Sequence, residues 1–176
     1  MILETDRLLL REYVQADAEA FFRLNSDPEV LRFTADSPLR STEHARQILS
    51  SYPIADYRRY GFGRWACIDK RTRAHLGFAG LKYLEELQEV EIGFRLVRAY
   101  WGFGLATEAA KAAVAYGFEH LSLKSIIGLV IPDNIASVRV LQKIGLKFSN
   151  QVCCRGLELE RYTISRQRFT KRSSDL

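Results

Sequence analysis

The chain has 176 residues, enough for one domain with a sizeable core, and its 47% hydrophobic and 27% charged residues are ordinary for a globular protein. No apolar stretch is long enough for a bilayer, and residues 1–11 carry Glu4, Asp6, Arg7 and Arg11 where a signal segment has an apolar centre, so a cytoplasmic protein without membrane contact is expected. The net charge of +5 suits an anionic ligand, while the odd set Cys67, Cys153 and Cys154 excludes a disulfide framework and the unspaced His44, His75 and His120 argue against a metal.

Residues 5–13 (TDRLLLREY) read as a first strand through Leu8, Leu9 and Leu10. Residues 14–26 read as a helix, with Ala16, Ala18, Ala20, Phe21 and Leu24 supplying propensity and an apolar side. Pro28 and Pro38 bracket a loop or a helical turn. A second helix begins at Ser41, where Ser41, Thr42 and Glu43 form a capping cluster, and runs to about Tyr52, where Pro53 interrupts it. The residues up to Tyr60 are ambiguous. After Gly61 and Gly63, residues 64–69, 74–84 and 89–97 read as three consecutive strands joined by short polar turns. An alanine-rich helix follows over 105–120, then a β-branched strand over 125–130 ended by Pro132. Residues 135–144 form another helix, stopped by Gly145 as its C′ residue. Residues 146–154 and 157–166 close the chain as two strands around a turn at Gly156. Cys153 and Cys154 are neighbours on a strand and should face opposite sides.

The order β-α-α-β-β-β-α-β-α-β-β places a strand–helix–strand unit after an antiparallel meander. That predicts a mixed α/β fold, α+β-like, with helices on both faces of a central mixed sheet. One domain is expected over residues 1–170, with 171–176 as a tail. The basic cluster Arg161, Arg166, Arg168, Lys171 and Arg172 reads as a solvated face and fraying end.

Two stretches carry chemistry. In residues 89–108 (EVEIGFRLVRAYWGFGLATE) a strand runs into Trp101-Gly102-Phe103-Gly104 and a helix starts at once. The first amides of a helix lack intrahelical partners and its dipole favours negative charge; glycines admit positive φ and close approach of a phosphate. No Ser, Asp or Asn stands in the cap region to compete, and Ala106 and Thr107 are small. The pattern lacks the Gly-Lys-Ser/Thr of a Walker loop and the third glycine of a Rossmann fingerprint. An ordinary strand-to-helix turn explains the glycine pair equally well. In residues 132–146 (PDNIASVRVLQKIGL) a loop with Asp133 and Asn134 leads into a helix bearing Ser137. Taken singly, Asn134 reads as an N-cap and Ser137 as a surface residue.

Together the two stretches resemble the GCN5-related N-acetyltransferases, most of all the subgroup similar to ribosomal-protein N-terminal acetyltransferases. The marks are the opening TDRLLLRE, the strand EIGF, the loop YWGFGLATEA and N-x-x-S-x-x-x-x-x-K-x-G-L from Asn134 to Leu146. The resemblance covers residues 5 to about 165 and implies the mostly antiparallel sheet of that fold, with acetyl-CoA as donor. It implies that the backbone from Trp101 through Gly102, Phe103, Gly104, Leu105 and Ala106 to Thr107 holds the pyrophosphate. The family loop begins with Gln or Arg where this chain has Trp101. Phe94 and Leu96 would pair by backbone with the pantetheine amides, and Asn134 would hydrogen-bond the same arm.

Acetyl transfer to an amine needs a neutral nucleophile, a donor for the developing oxyanion and a hydrogen bond or proton for the leaving thiolate. A backbone N–H near Phe94 is the expected donor. Many family members use a tyrosine on the last helix for the thiolate; here Leu141 stands in its place, and Ser137, which also lines the cofactor, is the nearest substitute. Glu91, three residues before Phe94, is the leading base, with Asp133 a weaker one; Glu91 could equally be a charge satisfied by Arg95 or a loop. The acceptor is expected to be a protein or peptide α-amine, with a small-molecule amine or a non-catalytic acyl-CoA-binding module as alternatives. A homodimer is left open, and the +5 charge does not make a nucleic-acid partner, because aromatics are not interleaved with a basic stripe.

Overall fold

The computed structural model describes residues 3–154 and 156–174. An eight-stranded sheet has the order β1-β2-β3-β4-β5-β6-β8-β7. The first expected strand is a hairpin: β1 (Leu3–Glu4) turns at Thr5, whose N–H donates to Leu8 O at 2.9 Å, and β2 (Leu8–Arg11) follows. The long N-terminal helix begins instead as a 3-10 turn over Gln15–Asp17 and continues as α1 (Ala18–Ser26). The proline-bracketed stretch holds one helical turn, α2 (Pro28–Leu31), capped by Asp27. α3 (Thr42–Ser51) starts where its cap predicts, with Ser41 Oγ accepting from the His44 N–H at 3.1 Å. The ambiguous segment is α4 (Pro53–Tyr60): Pro53 sits at its first turn, where a missing N–H costs nothing, and Gly61 closes it in the left-handed conformation.

The meander β3 (Arg64–Asp69), β4 (His75–Leu84) and β5 (Glu89–Leu96) is antiparallel throughout. Then come α5 (Leu105–Glu119), β6 (Ser125–Val130), α6 (Ile135–Lys143), β7 (Lys147–Cys154) and β8 (Leu157–Ser165). β5 and β6 run parallel and are in register at Glu91 and Ile127, the one such pair among the described residues. Beyond it the strands part, so the sheet has a split in its middle. The residues expected as strand end and tail form α7 (Arg166–Ser174), whose Phe169 packs on Phe118 with ring centroids 5.0 Å apart. Cys153 is exposed and Cys154 buried, as strand alternation requires.

Alternation along β3–β5 feeds two cores. Trp65, Ala79, Leu81, Ile92 and Leu96 pack under the alanine face of α5, while Ala66, Ile68 and Phe78 on the opposite face meet Leu24 of α1 and Leu49 of α3. Each fully buried large side chain contributes roughly 1.5–3 kcal/mol. Among the described residues no helix is long and apolar enough to cross a membrane, and no group of three or more His, Cys, Asp or Glu could hold a metal ion.

Candidate active site

The split between β5 and β6 opens into a cleft of about 590 Å³ that passes from the α5–α6 face to the α1–α2 face. Its walls bring together the two stretches singled out in the sequence. Glu91, Phe94, Leu96, Trp101, Gly102, Gly104, Leu105, Ala106, Thr107, Asn134 and Ser137 all line it. Phe103 does not: its side chain is 65% exposed, outside the cleft. The expectation for Phe103 concerns its backbone N–H, and the exposed side chain does not bear on it.

The helix-start geometry is that of an anion cradle. Gly104 is the N-cap of α5 at φ 77°, with no side-chain cap, and its carbonyl takes the first helical bond from Glu108 at 3.0 Å. The amides of Leu105, Ala106 and Thr107 therefore have no intrahelical acceptor. Gly102, at φ 81°, has nothing within 4 Å of the position a Cβ would occupy. These features fit a pyrophosphate held by backbone N–H groups.

The loop is held from two sides. The Trp101 indole N–H donates to Leu96 O at 2.6 Å, closing the loop onto the end of β5. The residue that departs from the Gln/Arg pattern thus serves as a staple. That bond uses one lone pair of the Leu96 carbonyl, so the backbone of Leu96 stays a candidate partner for a pantetheine amide. Phe94 keeps both groups. Val97 N–H donates to Leu76 O on the β4 side at 2.9 Å, and alternation then turns the N–H and C=O of Phe94 into the split.

The second brace comes from the first hairpin. Arg7 Nη1 donates to Phe103 O at 2.9 Å, while Arg7 Nε and Arg7 N–H donate to Glu108 Oε2 and Oε1 at 2.6 and 2.9 Å. Thr5 Oγ1 adds a bond to Glu108 Oε1 at 2.6 Å. Burial by itself would raise the Glu108 pKa, but the hydrogen bonds from Thr5 and Arg7 outweigh it and hold the carboxyl below the usual glutamate range. The negative charge on the first turn of α5 is thus tied up by Arg7. Sequence reasoning counted TDRLLLRE as a mark of resemblance and missed this task of Thr5 and Arg7.

On α6, Asn134 is an N-cap: its Oδ1 accepts from Ser137 N–H at 3.1 Å. Asn134 is thus the N-cap it reads as when taken singly, and its amide N–H2 makes no hydrogen bond among the described residues. Ser137 lines the cleft, half-buried, and its hydroxyl has no hydrogen bond among the described residues. Leu141, where many relatives place tyrosine, is 2% exposed, with its tip over Gly128 of β6. Asp133 is exposed and does not line the cleft, so it drops out as a base.

On the other face Glu91 is already paired. Arg64 Nη2 donates to Glu91 Oε2 at 2.8 Å, so the satisfied charge foreseen for Glu91 is real, with Arg64 and not Arg95 as partner. Arg95 donates instead to Asn25 Oδ1 at 2.5 Å and Asp36 Oδ2 at 2.7 Å, fastening the segment after α2 to β5. Burial lowers the Arg95 pKa, and the Asp36 carboxylate opposes that shift. Arg64 was also missed. Its signal lay in Gly80 and Gly93, isolated glycines inside strands, which mark close approach of another group. Arg64, Gly80 and Gly93 lie in one row across β3, β4 and β5, and a Cβ on Gly93 would sit 2.7 Å from Arg64 Nε.

Comparison with known proteins agrees with this geometry. The profile of the acetyltransferase (GNAT) domain matches residues 7–147. The chain is 35% identical, over 83% of its length and 82% of the relative's, to the N-acetyltransferase YoaA of Bacillus subtilis, a protein itself uncharacterized. It is 30% identical to the FsC-acetyl coenzyme A-N(2)-transacetylase of Aspergillus fumigatus, over 82% of this chain and 64% of that one. A GNAT acetyltransferase from Bacillus anthracis superposes with a TM-score of 0.80 at 26% identity, over 95% and 99% of the two chains.

Proposed function

Because this chain belongs to the GNAT acetyltransferase family, we propose that it moves the acetyl group of acetyl-CoA onto the α-amine of a peptide or of an amino-acid-like molecule. Acetyl-CoA is the donor, and it supplies an acetyl group already activated as a thioester. In this reading the amides after Gly104 bind the pyrophosphate. Phe94 N–H, turned into the split, steadies charge on the acyl oxygen. The Ser137 hydroxyl gives the departing sulfur a hydrogen bond, and Glu91, reached from the α1–α2 face, takes a proton from the amine directly or through water.

The acceptor assignment is carried by one observation. The carboxylates lining the cleft are Glu29, Asp36 and Glu91, and two of them are bound to guanidiniums, Asp36 to Arg95 and Glu91 to Arg64. Asp27, just before Glu29 and outside the cleft lining, caps α2. A polycationic amine finds no surplus of negative charge here. The α-amine of a peptide suits a site without a strong base, since its pKa is near 7.7–8.0 against about 10.4 for a lysine. The resemblance to N-terminal acetyltransferases and the N(2) position in the name of the Aspergillus relative support the same reading.

The test is coenzyme A release with peptides bearing free or blocked N-termini, free amino acids, lysine side-chain amines and spermidine. Turnover is expected on free α-amines and to vanish on blocking. Preference for spermidine or lysine side chains would overturn the acceptor assignment, and failure to release coenzyme A with any amine would leave an acyl-CoA-binding module.

A further inference from the structure

The α1–α2 side of the cleft is built around a cation with one edge in use. Arg64 leaves β3, crosses the backbone of Gly93 and reaches Glu91 with Nη2. Its guanidinium stacks over the Phe78 ring, 5.2 Å from the centroid, and Arg95 stacks on the same ring at 5.4 Å. Buried Arg64 Nε has no hydrogen-bond partner among the described residues. The side chain keeps 27% of its surface exposed, and it lines the cleft. Two guanidiniums therefore stand on the wall that bears the base candidate. Arg64 Nε is buried against Gly93, and the donor left for a ligand is Arg64 Nη1, which makes no hydrogen bond among the described residues.

We propose that Arg64 is the specificity residue of the acceptor site and that the acceptor is an α-amino acid or a close derivative with a free carboxylate beside its amine. This rests on the acetyl transfer to an α-amine argued above. The Arg64–Glu91 pair is the template for such a zwitterion. The amine meets Glu91, and the carboxylate meets the Nη1 end of Arg64 in a charge-assisted hydrogen bond. One ion pair is joined by another of opposite sense, and no net charge enters the cleft. A polyamine would bring uncompensated positive charge against Arg64 and Arg95. A peptide N-terminus offers Arg64 only a neutral carbonyl.

The experiment measures coenzyme A release with three matched sets: the common amino acids, their carboxamides, and short peptides beginning with the same residues. The wild type is expected to favour the free carboxylate by about 10–100-fold in kcat/KM, the worth of one charge-assisted contact. Arg64→Gln should erase that preference by raising KM for the amino acid about 10–100-fold, with acetyl-CoA affinity unchanged, and Arg64→Lys should restore part of it. Acetyl-CoA titration of each variant reports on folding, and should Arg64→Gln fail to fold, the wild-type comparison decides alone. Equal rates on carboxylate, carboxamide and peptide would overturn this inference and leave α-amine acetylation standing. Preserved preference in Arg64→Gln would also overturn it, by placing the carboxylate elsewhere. Absence of turnover on every α-amine would overturn both this inference and the proposed function.

Discussion

Gly104→Val separates the cost of a strained backbone from the loss of a ligand, because the fold supplies a matched control. Gly104 sits at φ 77°, ψ 2°, and Gly61, at the end of α4, sits at φ 75°, ψ 2°. A Cβ at Gly61 would meet nothing within 4 Å, and one at Gly104 only Arg7 Nη2 at 3.7 Å. Neither Cβ meets a close contact, so the cost common to both valines is the left-handed conformation, about 1–3 kcal/mol. For a chain of this size that lowers Tm by roughly 2–12 °C, which a protein of ordinary stability survives. The two variants should thus melt alike and below the wild type. They should differ in acetyl-CoA binding. Gly104 lines the cleft and Gly61 does not. In the proposed binding mode a valine side chain at Gly104 crowds the pyrophosphate against the helix amides. Losing two charge-assisted hydrogen bonds, at about 1.5–3 kcal/mol each, weakens binding by about 100-fold or more. Calorimetric titration of both variants gives the answer. Equal affinity in Gly104→Val and Gly61→Val would refute the placement of the phosphates on this loop.

Three further outcomes follow from the site and its surroundings. Ser137→Ala should lower kcat at the low end of the roughly 10²–10⁴-fold range for acid–base groups, with acetyl-CoA affinity little changed; unaltered turnover in steady-state kinetics would remove the hydroxyl from the mechanism. Glu91→Gln should move the pH–rate profile toward higher pH, since the amine must then lose its proton to solvent, and an identical profile would reduce Glu91 to a partner of Arg64. Burial lowers the His75 pKa from 6.5 to about 4. Between those values the unfolded chain binds a proton that the folded one refuses, so stability is full above pH 6.5 and falls as the pH drops, by about 3 kcal/mol at roughly 1.4 kcal/mol per unit. Urea titrations of wild type and His75→Gln across that window should show a shallower fall in the variant; parallel curves would assign the acid sensitivity elsewhere.

The meander, α5, β6 and α6 were legible in the sequence because periodicity and caps agree there: Asn134 and Gly145 bracket α6, and the β-branched run at Ile126 and Ile127 is a strand. What escaped was set by long-range contacts. Nothing local distinguishes Thr5, a residue within a strand-like run, from a turn residue; Glu108, over a hundred positions away, gives it its partner. α7 is strongly basic, and only Phe169, docking on Phe118, shows why it packs. The glycine-bracketed start of α5 could be read because strand, glycines and helix leave a recognisable spacing. The acceptor side could not, because Arg64 and Glu91 meet across three strands and their pairing depends on register.

The brace from Arg7 to Phe103 and Glu108 has a thermodynamic corollary. It makes the docking of the first hairpin and the shape of the phosphate loop two aspects of one equilibrium. Whatever favours the docked hairpin must favour the ligand, and the ligand must return the same free energy to the hairpin. Saturating acetyl-CoA should therefore slow hydrogen exchange in β1 and β2, well outside its own contact surface. A bulky fusion placed just ahead of Leu3 becomes, by the same reciprocity, a modulator of cofactor affinity, so a tag on this end of the chain is no neutral choice for an assay of the enzyme.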